Sequence, residues 1–328
     1  GFDPRRHTLE EAERRGVLKP PERWVLSKLQ ELVETVTDAY ERCQFHVASQ
    51  RLEEFIIEIL SRRYVPTVRR DLWSDDPETL WRRLAIYATL WNVLKVVVAL
   101  MNPITPFLCE TMHQLVYRRM DPEQPLSVNF VEWPKPDPSL RDLELEEDFE
   151  RLWTCVSLVY SARQRAGLKR RWPLARMVVV APREVLNSLR RLREPLLELS
   201  NVKSLSLVEE RPELGDGWVS SSEGDLEVWL YTVRDERLKA EGWMKDVVRR
   251  VQALRKELGL SPTEILKCVY IVEPNPERRR MLELLREEME WLVRSEKVVL
   301  CDRRVEGPFE WRAMRVDGDR IEVAIQRA

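Results

Sequence analysis

Apolar positions recur at helical spacing through the first half of the chain. Leu29, Leu32, Val33, Val36 and Tyr40 fall at i, i+3, i+4, i+7 and i+11, one stripe of an amphipathic helix that follows the Pro20-Pro21 punctuation. A second helix begins near Phe45 and is expected to bury Ala48, Leu52, Phe55, Ile56, Ile59 and Leu60. A third has a clear start, with Asp76 as N-cap, Pro77 at the first helical position and Glu78 complementing the positive helix end. It runs through Leu80, Leu84, Tyr87, Trp91, Leu94 and Val98 and is apolar over much of its circumference, as the central helix of a bundle would be. Its longest apolar run, Ile86 to Met101, is interrupted by Asn92 and Lys95 and is shorter than the roughly 20 residues of a membrane span, so no membrane is expected. A fourth helix starts at Thr105-Pro106 and reaches about Arg119. Beyond a Pro-rich stretch from Trp133 to Pro138, Leu145, Phe149, Leu152, Val156, Val159 and Tyr160 mark a fifth, ending near Ala166.

After Gly167 the period changes. Met177 to Val180 is a β-branched run stopped by Pro182, followed by a helix to about Leu199 and a strand over Leu205 to Val208. The order then repeats. A helix over Trp243 to Leu258 ends in Gly259-Leu260, as the earlier one ended in Gly167-Leu168. A strand over Cys268 to Val272, a helix to about Arg294 and a strand over Val298 to Cys301 follow. The offset stays near 92 residues, which predicts a duplicated helix–strand–helix–strand unit. Trp311 to Val316 and Arg320 to Ile325 predict a closing hairpin around Asp317-Gly318. The fold class expected is multidomain and mainly α. A linker covers residues 1–22, a helical bundle covers 23–166, and two small duplicated α/β units cover 167–238 and 239–328.

Composition narrows the function classes. A charged share of 34% with a formal net charge of -2 argues against a protein that coats nucleic acid non-specifically, but leaves room for a local basic face. Cys43, Cys109, Cys155, Cys268 and Cys301 form no C-x-x-C pair, so neither a zinc site of ordinary spacing nor a disulfide framework is expected; buried or partly buried thiols in a reducing cytosol are. No signal-peptide pattern opens the chain, which points to a cytoplasmic location. His7, His46 and His113 lie in separate segments, and His113 reads as a structural histidine on a helix face. There is no Gly-rich phosphate loop, H-E-x-x-H or G-x-S-x-G, so no catalytic residues are assigned.

The cations cluster. Arg62, Arg69 and Trp73 line one stripe if the second helix continues, with Arg63 and Arg70 beside them. Charge for phosphates next to a ring for base stacking suits an RNA loop; the same pattern fits a solvated helix end with a buried Trp73. Pro66 is expected to kink or end the helix there. Lys169, Arg170 and Arg171 form a second cluster beside Trp172, near Arg163 and Arg165. Arg249, Arg250, Arg255 and Lys256 form a third, and Arg278, Arg279 and Arg280 a fourth that reads as a solvated face.

Several segments resemble a known family. "ERWVLSKLQELVETVTDAYERCQFHVASQRLEEFIIEILSRRYV" resembles the opening of the anticodon-binding helical bundle of the class I synthetases for isoleucine, valine and leucine, and "NPITPFLCETMHQLVY" resembles its proline-containing helix junction. "ARQRAGLKRRWPL", "ELSNVKSLSLVEE" and "DVVRRVQALRKELGL" resemble the C-terminal region of the archaeal and eukaryotic type of isoleucyl-tRNA synthetase, and "FDP" resembles the exit from its catalytic half. The resemblance covers nearly the whole chain. It implies binding of isoleucine tRNA through the anticodon arm, with Arg62, Arg63, Arg69, Arg70 and Trp73 as candidates for loop phosphates or bases and Lys169, Arg170 and Arg171 for the stem backbone. It implies contacts to a catalytic half lying outside this chain, where ATP and magnesium would act, no cofactor in this segment, and a monomer. The family's stretch after "YV" is more continuously basic; here it holds Pro66, Thr67 and Asp71. The alternatives are the same region of the valine or leucine enzyme, or a scaffold that binds protein partners.

Overall fold

A computed structural model describes residues 1–73, 76–261, 263–316 and 319–327, the Trp73 side chain excepted. Two compact units form, Gly1–Trp153 with Asn187–Pro195, and Thr154–Leu186 with Leu196–Ala328.

The first unit is helical. Residues expected to be a linker carry a short helix, α1 (Leu9–Arg14), whose Thr8 cap accepts the Glu11 N–H. The Pro20-Pro21 pair is the first turn of α2 (Pro20–Glu41) rather than a break before it, because a first-turn N–H has no intrahelical acceptor to lose. α3 (Phe45–Glu54) passes without interruption into a π-helical stretch, Phe55–Tyr64, and then into α4 (Val65–Trp73). The break expected at Pro66 is therefore absent. Val65 N–H reaches back five residues to the Leu60 carbonyl. The wider turn eases the clash that a proline ring makes with the carbonyl four residues earlier, and the helix changes pitch instead of ending.

Asp76 accepts the Glu78 N–H at the head of a 3₁₀ turn that opens α5 (Leu80–Met101). By length and composition the stretch Pro77–Met101 could cross a membrane, a longer apolar span than the sequence run suggested. Its Leu84, Ile86, Val93, Val97 and Leu100 are instead buried in the protein core, and Arg82 on the same helix is buried and ion-paired. α6 (Pro106–Met112) continues as a π-helical stretch, His113–Arg118, and α7 (Leu143–Arg165) closes the unit and leads into the next. Trp24 and Phe149, both fully buried, stack at 4.8 Å and join α2 to α7. Burying one such side chain contributes roughly 1.5–3 kcal/mol.

The second unit holds two four-stranded sheets. β1 (Leu174–Val180), β2 (Val202–Val208), β3 (Trp218–Glu223) and β4 (Leu226–Tyr231) give the first, with strand order β2-β1-β4-β3; between β1 and β2 run α8 (Arg183–Arg191) and α9 (Arg193–Ser200), whose residues Asn187–Pro195 belong to the first unit. α10 (Glu236–Glu257), β5 (Leu266–Val272), α11 (Pro276–Glu283), α12 (Arg286–Val293), β6 (Val298–Cys301), β7 (Arg312–Val316) and β8 (Asp319–Arg327) give the second, with order β6-β5-β8-β7. In each sheet one pair is parallel and two are antiparallel. β3 and β4 were not anticipated. Their signal was the alternation of Leu226, Val228 and Leu230 after Gly224, which adopts φ 55 in the turn. The turn expected at Asp317-Gly318 lies outside the described residues, though the strands flanking it pair.

The recurrence extends to single side chains. Arg163 on α7 is 1% exposed and donates to the carbonyls of Lys169, Trp172, Ser200 and Asn201 at 2.7–3.2 Å. Arg255 on α10 is 2% exposed and donates to Ser261, Glu264, Val293 and Arg294 at 2.7–3.4 Å. In each case the guanidinium ties the loop after a long helix to the corner before a strand. At those corners Asn201 and Arg294 both take positive φ, 51 and 54. Burial pulls the Arg163 pKa down to about 10, which leaves it protonated at neutral pH.

Glu273, just after β5, is 1% exposed; one carboxylate oxygen accepts the Asn275 N–H, and the other has no hydrogen bond and lies 3.8 Å from the Arg278 guanidinium, whose attraction offsets only part of the cost of burial. Burial raises its pKa above the ordinary carboxylate value. The folded state therefore holds this proton more tightly than the unfolded one, and stability falls as pH rises through that interval. Glu273→Gln is expected to be more stable than the parent at pH 7, with the gain shrinking toward pH 4; urea titrations across that range check it, and a gain that does not change with pH would contradict it.

Candidate nucleic-acid interface

The continuous helix through Pro66 carries the first basic cluster. Arg62 is exposed and pairs with Glu58 at 2.5 Å, an i,i+4 contact of little stabilising value in water. Arg63 is half-buried, 2.6 Å from Glu150 and 5.8 Å from the Trp153 ring centroid. Arg69 and Arg70 are both exposed on α4. The Trp73 side chain lies outside the described residues. Asp71 does not offset these cations, because it is engaged by Arg82 at 2.8 Å and lies 3.9 Å from Lys19. Arg82 also grips the buried Glu22 at 2.5 and 2.9 Å, and the Tyr64 hydroxyl donates to Glu22 at 3.2 Å. This buried network fixes the helix that presents Arg69 and Arg70. The sequence run gave no sign of it, since Glu22 and Arg82 are 60 residues apart.

The second cluster faces a different environment. Asp246, 4% exposed, accepts from Lys169 at 3.2 Å, from Trp172 at 3.1 Å and from Arg171. Arg170 is exposed and lies 3.8 Å over the Tyr160 ring. The three cations are therefore adjacent, but two of them converge on one buried carboxylate. Gly242 leaves room for this arrangement, since a Cβ there would come within 2.9 Å of the Trp172 ring.

In the third cluster Arg249, Arg250 and Lys256 are exposed, whereas Arg255 points inward to its four carbonyls. The fourth is not merely a solvated face: Arg278 pairs with Asp319 at 2.5 Å and lies 4.9 Å over Trp243, and Arg279 donates to the Glu273 carbonyl. His113 is buried, its Nε2 2.7 Å from the Pro125 carbonyl. Cys43 is exposed, unlike the other four cysteines and contrary to the expectation for it, at a turn where it adopts φ 56. Among the described residues no three His, Cys, Asp or Glu side chains gather as metal ligands.

Residues 22–179, from the first turn of α2 into β1, match the family model described as the anticodon-binding domain of tRNA ligase, and this stretch of the chain is identified as a member of that family. Its relatives narrow the class. The chain is 33% identical to the isoleucine–tRNA ligase of Methanopyrus kandleri over 81% of its length and 30% of that protein's. It is 30% identical to that of Pyrobaculum aerophilum over 100% of its length and 31% of the relative's, and 29% identical to that of Pyrococcus furiosus over 91% and 32%. The chain thus spans about a third of the length of these curated relatives.

Proposed function

We propose that this chain is the tRNA-binding portion of an isoleucine–tRNA ligase, acting in the cytoplasm as a monomer, and that its helical bundle, residues 23–166, receives the anticodon arm. The observation that carries this is the match of residues 22–179 to the anticodon-binding family. Arg62, Arg63, Arg69 and Arg70 are the proposed contacts to loop phosphates, with Trp73 as a stacking ring. Arg69 and Arg70 are the strongest of these, because they are exposed and the neighbouring Asp71 is already engaged by Arg82. Arg170 is the proposed stem contact of the second cluster. A phosphate reaching Lys169 or Arg171 would have to compete with Asp246 for them, so their first role is to join the two α/β units, 167–238 and 239–328. ATP and magnesium would act in a catalytic segment outside this chain.

The test is a salt-series titration with an isoleucine tRNA and a version with its anticodon exchanged. Binding is expected to weaken with salt and with the exchange. Each phosphate contact removed by alanine at Arg62, Arg63, Arg69 or Arg70 should flatten the logarithmic salt dependence by about one unit. Unchanged affinity after all four replacements would remove the assignment. Preference for a valine or leucine tRNA would move the chain to those enzymes, and absence of RNA binding would favour the protein scaffold.

A further inference from the structure

One basic cluster lies outside the bundle and outside residues 22–179. On α10, Arg249, Arg250 and Lys256 are exposed, and among the described residues no carboxylate pairs with any of them. From Val247 to Lys256 the helix carries no acidic residue. The two acids just before that stretch are buried and engaged: Glu241 pairs with Lys203 at 2.6 Å, and Asp246 holds Lys169 and Arg171. Glu257 ends the helix. A cation at a helix C-terminus complements its negative end, which explains Lys256 but not Arg249 and Arg250, about two turns upstream. The repeat supplies an internal comparison. Arg163 of α7 stands where Arg255 stands on α10, and the α7 positions matching Arg249, Arg250 and Lys256 hold Ser157, Leu158 and Gln164. The repeated unit thus folds without these charges, and α10 alone adds them.

An exposed ring stands on the neighbouring helix. Arg249, Gln252 and Lys256 fall at i, i+3 and i+7, one stripe of α10. Gln252 donates to the Leu292 carbonyl at 2.7 Å, which brings α12 alongside that stripe. Met289 and Val293 of α12 are buried, and Trp291 between them, on the outer side of the helix, is 44% exposed. Ala253, exposed and at helical spacing from all three cations, leaves the surface between them open. We propose that α10 and Trp291 form a second RNA site that takes an unpaired stretch of RNA, with Arg249, Arg250 and Lys256 on phosphates and Trp291 stacked on a base. The unpaired cations complement a phosphate backbone. The ring selects single strand over stem, because only an unstacked base offers its face to a side chain. That the RNA is a tRNA rests on the function proposed above; the chemistry of the site does not.

The experiment places the photo-crosslinker benzoylphenylalanine at position 253 in the full-length polypeptide that carries this chain, and separately at 222 as background. Both positions are exposed, and Ser222 adjoins the acidic Glu223. The probes are an isoleucine tRNA and an oligouridine of about twelve nucleotides, within the span of a single-strand site. Crosslinks from 253 to both probes, above the level from 222, are the expected result. Replacing Arg249, Arg250 and Lys256 together by Gln should abolish them and flatten the logarithmic salt dependence of oligouridine binding by about two units, at ~0.7 per phosphate contact on a single strand. Trp291→Ala should weaken oligouridine binding about tenfold, and Trp291→Phe, which keeps a ring, much less. No crosslink from 253 in a protein that binds tRNA would overturn the proposal, as would crosslinks to protein instead of RNA. Unchanged oligouridine affinity in Trp291→Ala would also overturn it, leaving at most a phosphate contact to a paired stem. A protein that crosslinks oligouridine from 253 but binds no tRNA would keep the site and remove the proposed function instead.

Discussion

Glu22→Ala is expected to destabilise the helical unit by about 3–5 kcal/mol, the range for breaking a buried ion pair by removing one partner. Glu22 is fully buried and Arg82 nearly so, and the variant would leave the Arg82 guanidinium with only Asp71 and the Val17 carbonyl. The Tyr64 hydroxyl would lose its carboxylate acceptor as well. Two desolvated charges facing each other do not necessarily stabilise a fold, so the size of this loss measures the orphaned charge rather than the value of the pair. The double variant Glu22→Leu with Arg82→Met separates the two. It should cost much less than the sum of the single changes, because no buried charge is left behind. Urea unfolding followed by Trp fluorescence gives all three values; additive losses would mean that the pair is not coupled. Because the network anchors Asp71, the single variant should also weaken RNA binding, through a bundle that no longer holds Arg69 and Arg70 in place.

The second large effect is expected at the paired buried arginines. Arg255→Met fills the same space but leaves the carbonyls of Ser261, Glu264 and Val293 without this donor. Hydrogen bonds from a charged donor contribute roughly 1.5–3 kcal/mol each, and their losses at one site do not add fully, so a total on the order of 4 kcal/mol is expected. Arg255→Lys should recover only a fraction, because an ammonium cannot reach the loop and the strand corner together with a planar fork. Arg163→Met should behave alike, since its guanidinium meets the same arrangement of carbonyls in the first sheet's unit. Hydrogen exchange at the Leu266 and Leu174 N–H groups, which bond to the Arg294 and Asn201 carbonyls, reports each corner separately. An unchanged unfolding midpoint for Arg255→Met would show that desolvation of the guanidinium cancels its hydrogen bonds.

By itself the sequence determined the elements whose physics is local. Helical spacing located α2, α3, α5 and α7, the Asp76-Pro77 signal placed the start of α5 within a turn, and β-branched runs ahead of prolines located β1 and β5. The constant offset located the repeated helix–strand–helix–strand order, but not the strand order that the two sheets share, which depends on how β3 and β4 in one and β7 and β8 in the other pair with the first strands. Basic clusters could be counted, but their partners could not. Whether an arginine faces water or a carbonyl cage depends on chain brought in from far along the sequence. Lys169 and Arg171 meet Asp246 across more than 70 residues, and Glu22 meets Arg82 across 60. Pro66 illustrates the same divide: its cost to an α-helix is local, but the tertiary packing of Phe55, Leu60 and Tyr64 in the core selects a wider turn that accommodates it. Long-range packing decides which charges are neutralised and which remain available, and so it alone leaves Arg69 and Arg70 exposed on α4 while turning Arg163 and Arg255 inward.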